Sequence, residues 1–170
     1  SRVAVEVMAT KGLILVAGEV TSTAKVHIRK VVKYTLRSAG YTPSEFRIKV
    51  RLHKQSPDIA RGVNRSEDLL GAGDQGIVYG YATDETPGFL PLALVLARRL
   101  TSRLEEVREN SVVSGLKPDG KCLVTVEYEE DEASRIHSVV LSTQHDESIT
   151  TNDLRKEVLK HVIHPVLNNI

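Results

Sequence analysis

Two periods alternate along this chain, one of two residues and one of about 3.6, and together they predict its elements. Residues 2–8 and 12–20 are apolar, β-prone runs separated by Thr10, Lys11 and Gly12, which predicts a hairpin. In "KVHIRKVVKYTLRSAG" the positions Ile28, Val31, Val32, Thr35, Leu36 and Ala39 fall at helical spacing, with Gly40 as the stop signal. "FRIKVRLHK" returns to strict alternation. Phe46, Ile48, Val50 and Leu52 mark one face, and Arg47, Lys49, Arg51 and His53 mark the other, so a strand with one solvated face is predicted.

Residues 54–74 have no period and are rich in Gly, Ser, Asn, Asp and Pro, as functional lids often are. The pattern then predicts a strand over 76–82 and a long helix over 91–108 with Pro91 near its start. "KPDGK" at 117–121 reads as a turn, followed by strands over 122–128 and 135–143. "TTNDLRKEVLKHVIHPVL" reads as a last helix with an apolar stripe of Leu154, Val158, Leu159, Val162 and Ile163. Asp153 suits its positive start, and Pro165 ends it. The order hairpin–helix thus occurs twice. The fold class this implies is α+β, with repeated hairpin–helix units and helices on one face of each sheet.

Composition narrows the partners more than the fold. At 170 residues the chain can form one large domain or two small ones. Its 23 Lys and Arg balance 22 Asp and Glu, which gives no electrostatic case for nucleic acid or a membrane surface. Apolar stretches are strand-length or broken by charge, and no signal-peptide pattern opens the chain. Cys122 stands alone, so no internal disulfide forms and no cysteine-rich zinc site exists; a reducing, cytoplasmic setting is expected. The chain begins in strand-like sequence without an initiator methionine and stops just after a helix pattern, as a portion of something longer does.

Gly71, Gly73 and Gly76 fit G-x-G-x-x-G, but polar sequence precedes them and β-prone "IVYGYAT" follows. A dinucleotide turn needs a strand before it and a helix after it, so that reading fails on both flanks. Gln55, Ser56, Pro57 and Asp58 form either a solvated turn or the mouth of a mobile lid. Glu6 and Glu19 stand in otherwise apolar strands. They either face solvent or, if turned inward, need cations or donors. Asp119 and Lys121 flank Gly120, an arrangement able to offer a carboxylate to ribose hydroxyls and an ammonium to phosphate, though most such turns are only turns. The six histidines, His27, His53, His137, His145, His161 and His164, show no zinc spacing, and 161 and 164 have no obvious carboxylate partner.

Taken together, "RVAVEVMATKGLILVAGEV", "QSPDIARGV", "GAGDQGIVYGYATDETPGFLPLALVLARRL", "LKPDGKCLVTVEY", "VVLSTQH" and "HVIHPVL" resemble S-adenosylmethionine synthetases (methionine adenosyltransferases), in that family's order and over essentially the whole chain. The resemblance implies three similar α+β units around a pseudo-threefold axis, and a homodimer or dimer of dimers through flat sheet faces. It implies ATP and methionine as substrates, and magnesium and potassium as cofactors. Carried across by motif, Glu6 matches the potassium-ligand glutamate, although cysteine usually stands where this chain has Val5. Glu19 and Gln55 match methionine contacts, and Asp119, Gly120 and Lys121 an ATP-contacting turn. Asp74 of "GAGDQG" matches an aspartate lining the site. Gln55, Ser56, Pro57, Asp58, Ile59, Ala60, Arg61, Gly62, Val63, Asn64 and Arg65 match the gating loop.

The implied domains are a partial N-terminal unit over 1–54, a gating loop over 55–70 and a central unit over 71–170, with no C-terminal unit. The family's E-G-H-P-D-K segment and the groups that follow the "HPVL" helix are missing from the sequence. This portion alone is therefore expected to be inactive. The alternative is a non-catalytic relative, or a fragment, that pairs with a full synthetase. Retention of Glu6, Glu19, Gln55, Asp119 and Lys121 favours the enzyme.

Overall fold

A computed structural model describes residues 1–56, 64–66, 69–70 and 75–168, with backbone alone for 64–66 and 69–70. The chain divides into two compact units, Ser1–Val78 and Tyr79–Ile170. Helices and sheets alternate in both, the α+β arrangement the periodicity predicts.

The first unit is built on β1 (Arg2–Thr10), β2 (Leu13–Thr21) and β3 (Arg47–His53), in the order β1-β2-β3. β1 and β2 are antiparallel and joined at Lys11 and Gly12, where Gly12 takes φ 70°, as a tight turn requires. Gly18, opposite Val5, takes φ 141°, and a Cβ there would lie 2.1 Å from the Ala4 carbonyl oxygen, so no other residue fits. Helix α1 (Ile28–Ser38) carries the chain back so that β3 runs parallel to β2.

Gly40, at φ 86°, ends α1 in a Schellman motif. Its N–H donates to the Arg37 carbonyl at 3.0 Å, and that of Tyr41 to the Leu36 carbonyl at 2.8 Å. Ile14, Val16, Leu36 and Ile48 form the buried core, with Ile28, Val32, Val50 and Leu52 packed against it. Val31, counted in the predicted stripe, is exposed. Two short strands, β4 (Asn64–Ser66) and β5 (Leu69–Leu70), pair inside the stretch that had no period.

The second unit opens with α2 (Leu92–Glu109), whose Leu96, Leu100, Leu104 and Val107 are buried. β6 (Leu116–Glu129) and β7 (Glu132–His145) form an antiparallel ribbon. Its turn residues Glu130 and Asp131 both adopt positive φ (50° and 69°), as a two-residue primed turn demands. α3 (Thr151–Val158) is capped by Thr150, whose Oγ accepts the Asp153 N–H at 3.2 Å. Among the described residues no helix is long and apolar enough to cross a membrane.

Three segments depart from what their local sequence predicts. Residues 76–82 form no strand: Ile77, Val78, Tyr79 and Tyr81 are 76–95 % exposed, and β propensity yields a strand only where a partner edge exists. "KPDGK" lies within β6, not in a turn, with its extra length absorbed by a register shift between Leu116 and Gly120. Pro165 does not end the last helix. The chain widens into a π-turn at Leu159–Ile163 and continues as α4 (His164–Leu167).

Pro165 has no N–H with which to bond the carbonyl four residues earlier, that of His161. Arg103 on α2 replaces it, its Nε donating to the His161 carbonyl at 2.9 Å while its guanidinium pairs with Glu106 at 2.7 Å. Arg103→Met should lower unfolding free energy by about 1–2 kcal/mol, because a carbonyl is left without a donor. Pro165→Ala in the same background should return most of that loss, since it restores the helical N–H. Denaturant melts of the three variants measure both effects, and equal stability of Arg103→Met and the parent would dispose of this account.

A second tie fixes the start of α2. The Tyr128 hydroxyl donates to Glu85 Oε2 at 2.6 Å, and the same oxygen accepts the Leu92 N–H at 3.1 Å. Tyr128 first, then Leu92, holds the Glu85 carboxyl below the usual carboxylate range, and the same Glu85 bond pushes the Tyr128 phenol up. A depressed carboxylate contributes stability above its unfolded pKa and loses it as pH falls through the folded value. A raised phenol contributes below its unfolded pKa and loses it as pH rises. Tyr128→Phe should therefore melt below the parent near neutrality, with the gap closing below about pH 4 and above about pH 10. A gap that does not change with pH would show that the bond is not the cause.

Candidate functional site

The alternation of β1 and β2 settles which way the two strand glutamates point. Ile14 and Val16 face α1, so the residues between them face the opposite side of the sheet. Register pairs Ala4 with Glu19 and Glu6 with Ala17, placing both carboxylates on that open face as diagonal neighbours. Across β2–β3, Ala17 is level with Arg51 and Glu19 with His53. Glu6 is exposed, whereas Glu19 is half-buried and lies 3.2 Å from His53 Nε2. The alternative of two inward carboxylates is thus resolved in favour of the open face.

β2 and β3 run parallel, so both end at the same edge, where open sheets offer their ligand sites. Glu19 lies at that end of β2, and Gln55 follows His53 by two residues at that end of β3. Gln55 and Ser56 are half-buried, and the chain beyond them passes into residues 57–63, outside the described residues. Asp74 also lies outside them, as do Gly71 and Gly73; Asn64 and Arg65 are described as backbone in β4.

In the second unit, Asp119, Gly120 and Lys121 sit at the register shift of β6, and Asp119 and Lys121 are exposed. Asp119 and Lys121 line an open recess of about 230 Å³ with Ser142, Thr143 and Gln144 of β7. The Ser142 hydroxyl, an amide, a carboxylate and an ammonium thus border a space too small for a whole nucleotide but wide enough for a phosphate or a ribose edge. Periodicity gave no hint of the β7 side of this recess, because cross-strand register is not written in either strand alone. The same reason hid the Glu19–His53 contact. His161 has a carboxylate partner after all, Glu157 at 3.3 Å, which corrects the reading of that histidine as lacking one; the pair is four residues apart in one helical segment, a spacing the sequence does show.

Gly120 has a structural duty beside any role at a ligand. A Cβ there would stand 2.6 Å from Leu104 Cδ2, and Leu104 is itself buried in the α2 core. Among the described residues no three of His, Cys, Asp and Glu gather to hold an ion, and Glu6 offers a single carboxylate. Gly120→Ala should cost about 1–3 kcal/mol through overpacking. Gly120→Ala combined with Leu104→Ala should recover the part of that cost due to the clash, measured as a non-additive double-mutant cycle.

Comparison with known proteins closes the question of kinship. Residues 1–60 match the N-terminal domain of S-adenosylmethionine synthetase, and residues 69–170 match the central domain of S-adenosylmethionine synthetase. An S-adenosylmethionine synthase of Pseudothermotoga lettingae is 44% identical over 187 residues, covering 98% of this chain and 47% of the relative. One from Clostridium tetani is 42% identical over 183 residues, with 98% and 47% covered. The chain spans about half the length of the curated relatives it matches. With both domain matches in order and this identity across nearly all of its residues, the chain belongs to the S-adenosylmethionine synthetase family.

Proposed function

We propose that this chain is the N-terminal and central portion of a methionine adenosyltransferase, which forms S-adenosylmethionine from ATP and methionine and hydrolyses the released triphosphate to phosphate and diphosphate. The observation that carries the reading is the shared strand end: Glu19 and Gln55 leave neighbouring parallel strands at one edge of the sheet. There they suit an amino acid, a carboxylate for its ammonium and an amide for its carboxylate. Asp119 and Lys121, with Ser142 of β7, suit the ribose and phosphate of a nucleotide. Asp74 is proposed to line the active site, and residues 55–70 to act as its gate.

The chemistry needs little from a general base. A thioether sulfur is a competent nucleophile at neutral pH; its lone pair forms the bond to the ribose C5′ while the bond from that carbon to the triphosphate oxygen breaks. Alignment of sulfur, carbon and leaving oxygen is the main requirement, with positive charge to hold the departing triphosphate. Lys121 is the residue of this chain placed to contribute such charge. Magnesium would neutralise phosphate charge, and potassium would order the site with Glu6 as one ligand. The described residues do not by themselves build a site for either ion.

The reaction belongs in the cytoplasm, where its nucleotide substrate is made, and the active unit would be a homodimer or a dimer of dimers. The outer face of the β6–β7 ribbon supports pairing, for Leu123 and Val140 stand directly opposite each other there and are 64% and 54% exposed. The second reading, a non-catalytic relative that pairs with a full synthetase, uses the same face but leaves the Glu19–Gln55 edge without a purpose.

Gln55→Ala in the complete protein should raise KM for methionine about tenfold while KM for ATP stays within about twofold, the size expected when one hydrogen bond to a charged group is lost. Lys121→Ala should do the reverse. Steady-state kinetics with each substrate varied separates the two, and equal loss for both substrates in Gln55→Ala would refute the assigned role.

A further inference from the structure

Three arginines on α2 stand within two helical turns, and the proposed reaction uses none of them. Arg98, Arg99 and Arg103 rim a groove of about 550 Å³ that runs between the flank of α2 and the segment around Pro165. Its floor is apolar, formed by Leu90, Val95, Pro165 and Val166. The volume lies within the range of sites that hold small organic ligands.

The three guanidinium groups are not equivalent. Arg103 is fixed by the His161 carbonyl and by Glu106, so it stands at the end of the groove as a held donor. Its fixation follows from the fold, because Pro165 and the π-turn free the carbonyl that Arg103 binds. Arg98 and Arg99 are exposed, and among the described residues neither forms an ion pair. Like charges at positions i and i+4, as in Arg99 and Arg103, disfavour the helix unless something neutralises them. Glu106 answers one charge, and Glu105 is engaged by Arg108. Arg98 and Arg99 thus stand beside an apolar floor without an ion pair among the described residues, and a surface with an excess of one sign of charge concentrates counter-ions.

We infer that this groove binds a small amphipathic anion, an aromatic or aliphatic body that carries a phosphate or carboxylate. The body lies on Val95, Pro165 and Val166. The anionic head meets Arg98 and Arg99, whose planar forks suit either oxyanion, and Ser102 between them and Arg103 offers a hydroxyl. Glu106, which also lines the groove and pairs with Arg103, repels a second negative group and so favours a ligand with its charge at one end.

The probes are 1-naphthyl phosphate and 1-naphthoate, with 1-naphthol and inorganic phosphate as the separated halves, titrated into the isotopically labelled chain at low salt. Both complete probes should give saturable amide shifts at Val95, Arg98, Arg99 and Ser102. The phosphate should bind more tightly, and each separated half should bind at least about tenfold more weakly. Arg98→Gln with Arg99→Gln, both at exposed positions, should cut affinity for both probes at least about tenfold, with the circular dichroism of the chain unchanged.

Lys121→Ala should leave this binding intact, which keeps the result separate from the fate of the nucleotide reading. Saturable binding by either complete probe, mapped to α2 and weakened in the arginine variant, sustains the inference and identifies the head group. Shifts confined to other surfaces, equal affinity in the arginine variant, or naphthol binding as tightly as naphthyl phosphate would overturn it.

Discussion

Ile14, Val16, Ile48 and Leu36 close over one face of β1–β2–β3, and the period-two geometry of a strand makes that burial decide everything on the other face. Glu6 and Glu19 cannot turn inward once Ile14 and Val16 have done so. The basic row of β3 follows the same rule, with Ile48 and Val50 turned to the helix and Arg47, Lys49 and Arg51 to solvent. Glu19, proposed to meet methionine, thus occupies an open face because the apolar side chains had a helix to cover them. Gly18 lets the sheet hold this register, since a side chain there would collide with the backbone of β1.

The second unit solves a different problem, that of packing a long helix on a two-stranded ribbon. Leu104 approaches Gly120 so closely that a methyl group would not fit between them, and so one residue of the proposed nucleotide recess is also a packing residue. The recess and the core are therefore coupled. A change meant to probe ligand contact at Gly120 will disturb α2 as well, whereas Lys121 and Asp119 point away from that contact and are exposed. On the neighbouring face of α2, Arg103 restores the hydrogen bond that Pro165 cannot make, and this places a fixed guanidinium at the edge of a groove. Both features arise where local sequence violates the rules of its element.

The fold was legible where a segment's period and its punctuation agreed. The first hairpin, α1 with its Gly40 stop, β3, α2 and the β6–β7 pair all stand close to where periodicity puts them. It was misread where local propensity competes with what lies across the chain. "IVYGY" has strong β propensity but no edge beside it among the described residues, and propensity without a partner does not make a strand. "KPDGK" carries a strong turn signal, yet the long ladder with β7 holds it extended and absorbs it as an irregularity. Pro165 is a helix breaker by rule, but a wider turn and a donor from another helix let the helix continue.

By itself the sequence determined the α+β class, the repeated hairpin–helix order, the balanced charge, and the motifs that mark the family and nominate Glu6, Glu19, Gln55, Asp119 and Lys121. Each of these depends on the identity of neighbours a few residues apart, which a linear string records in full. Only the tertiary structure decided that Glu6 and Glu19 share one face, that Glu19 meets His53, that Lys121 stands across from Ser142, and that Arg103 serves the carbonyl Pro165 leaves behind. Those facts depend on register and on contacts between residues far apart in the sequence. A shift of one residue in pairing would exchange the two faces of a strand without altering a letter of its sequence.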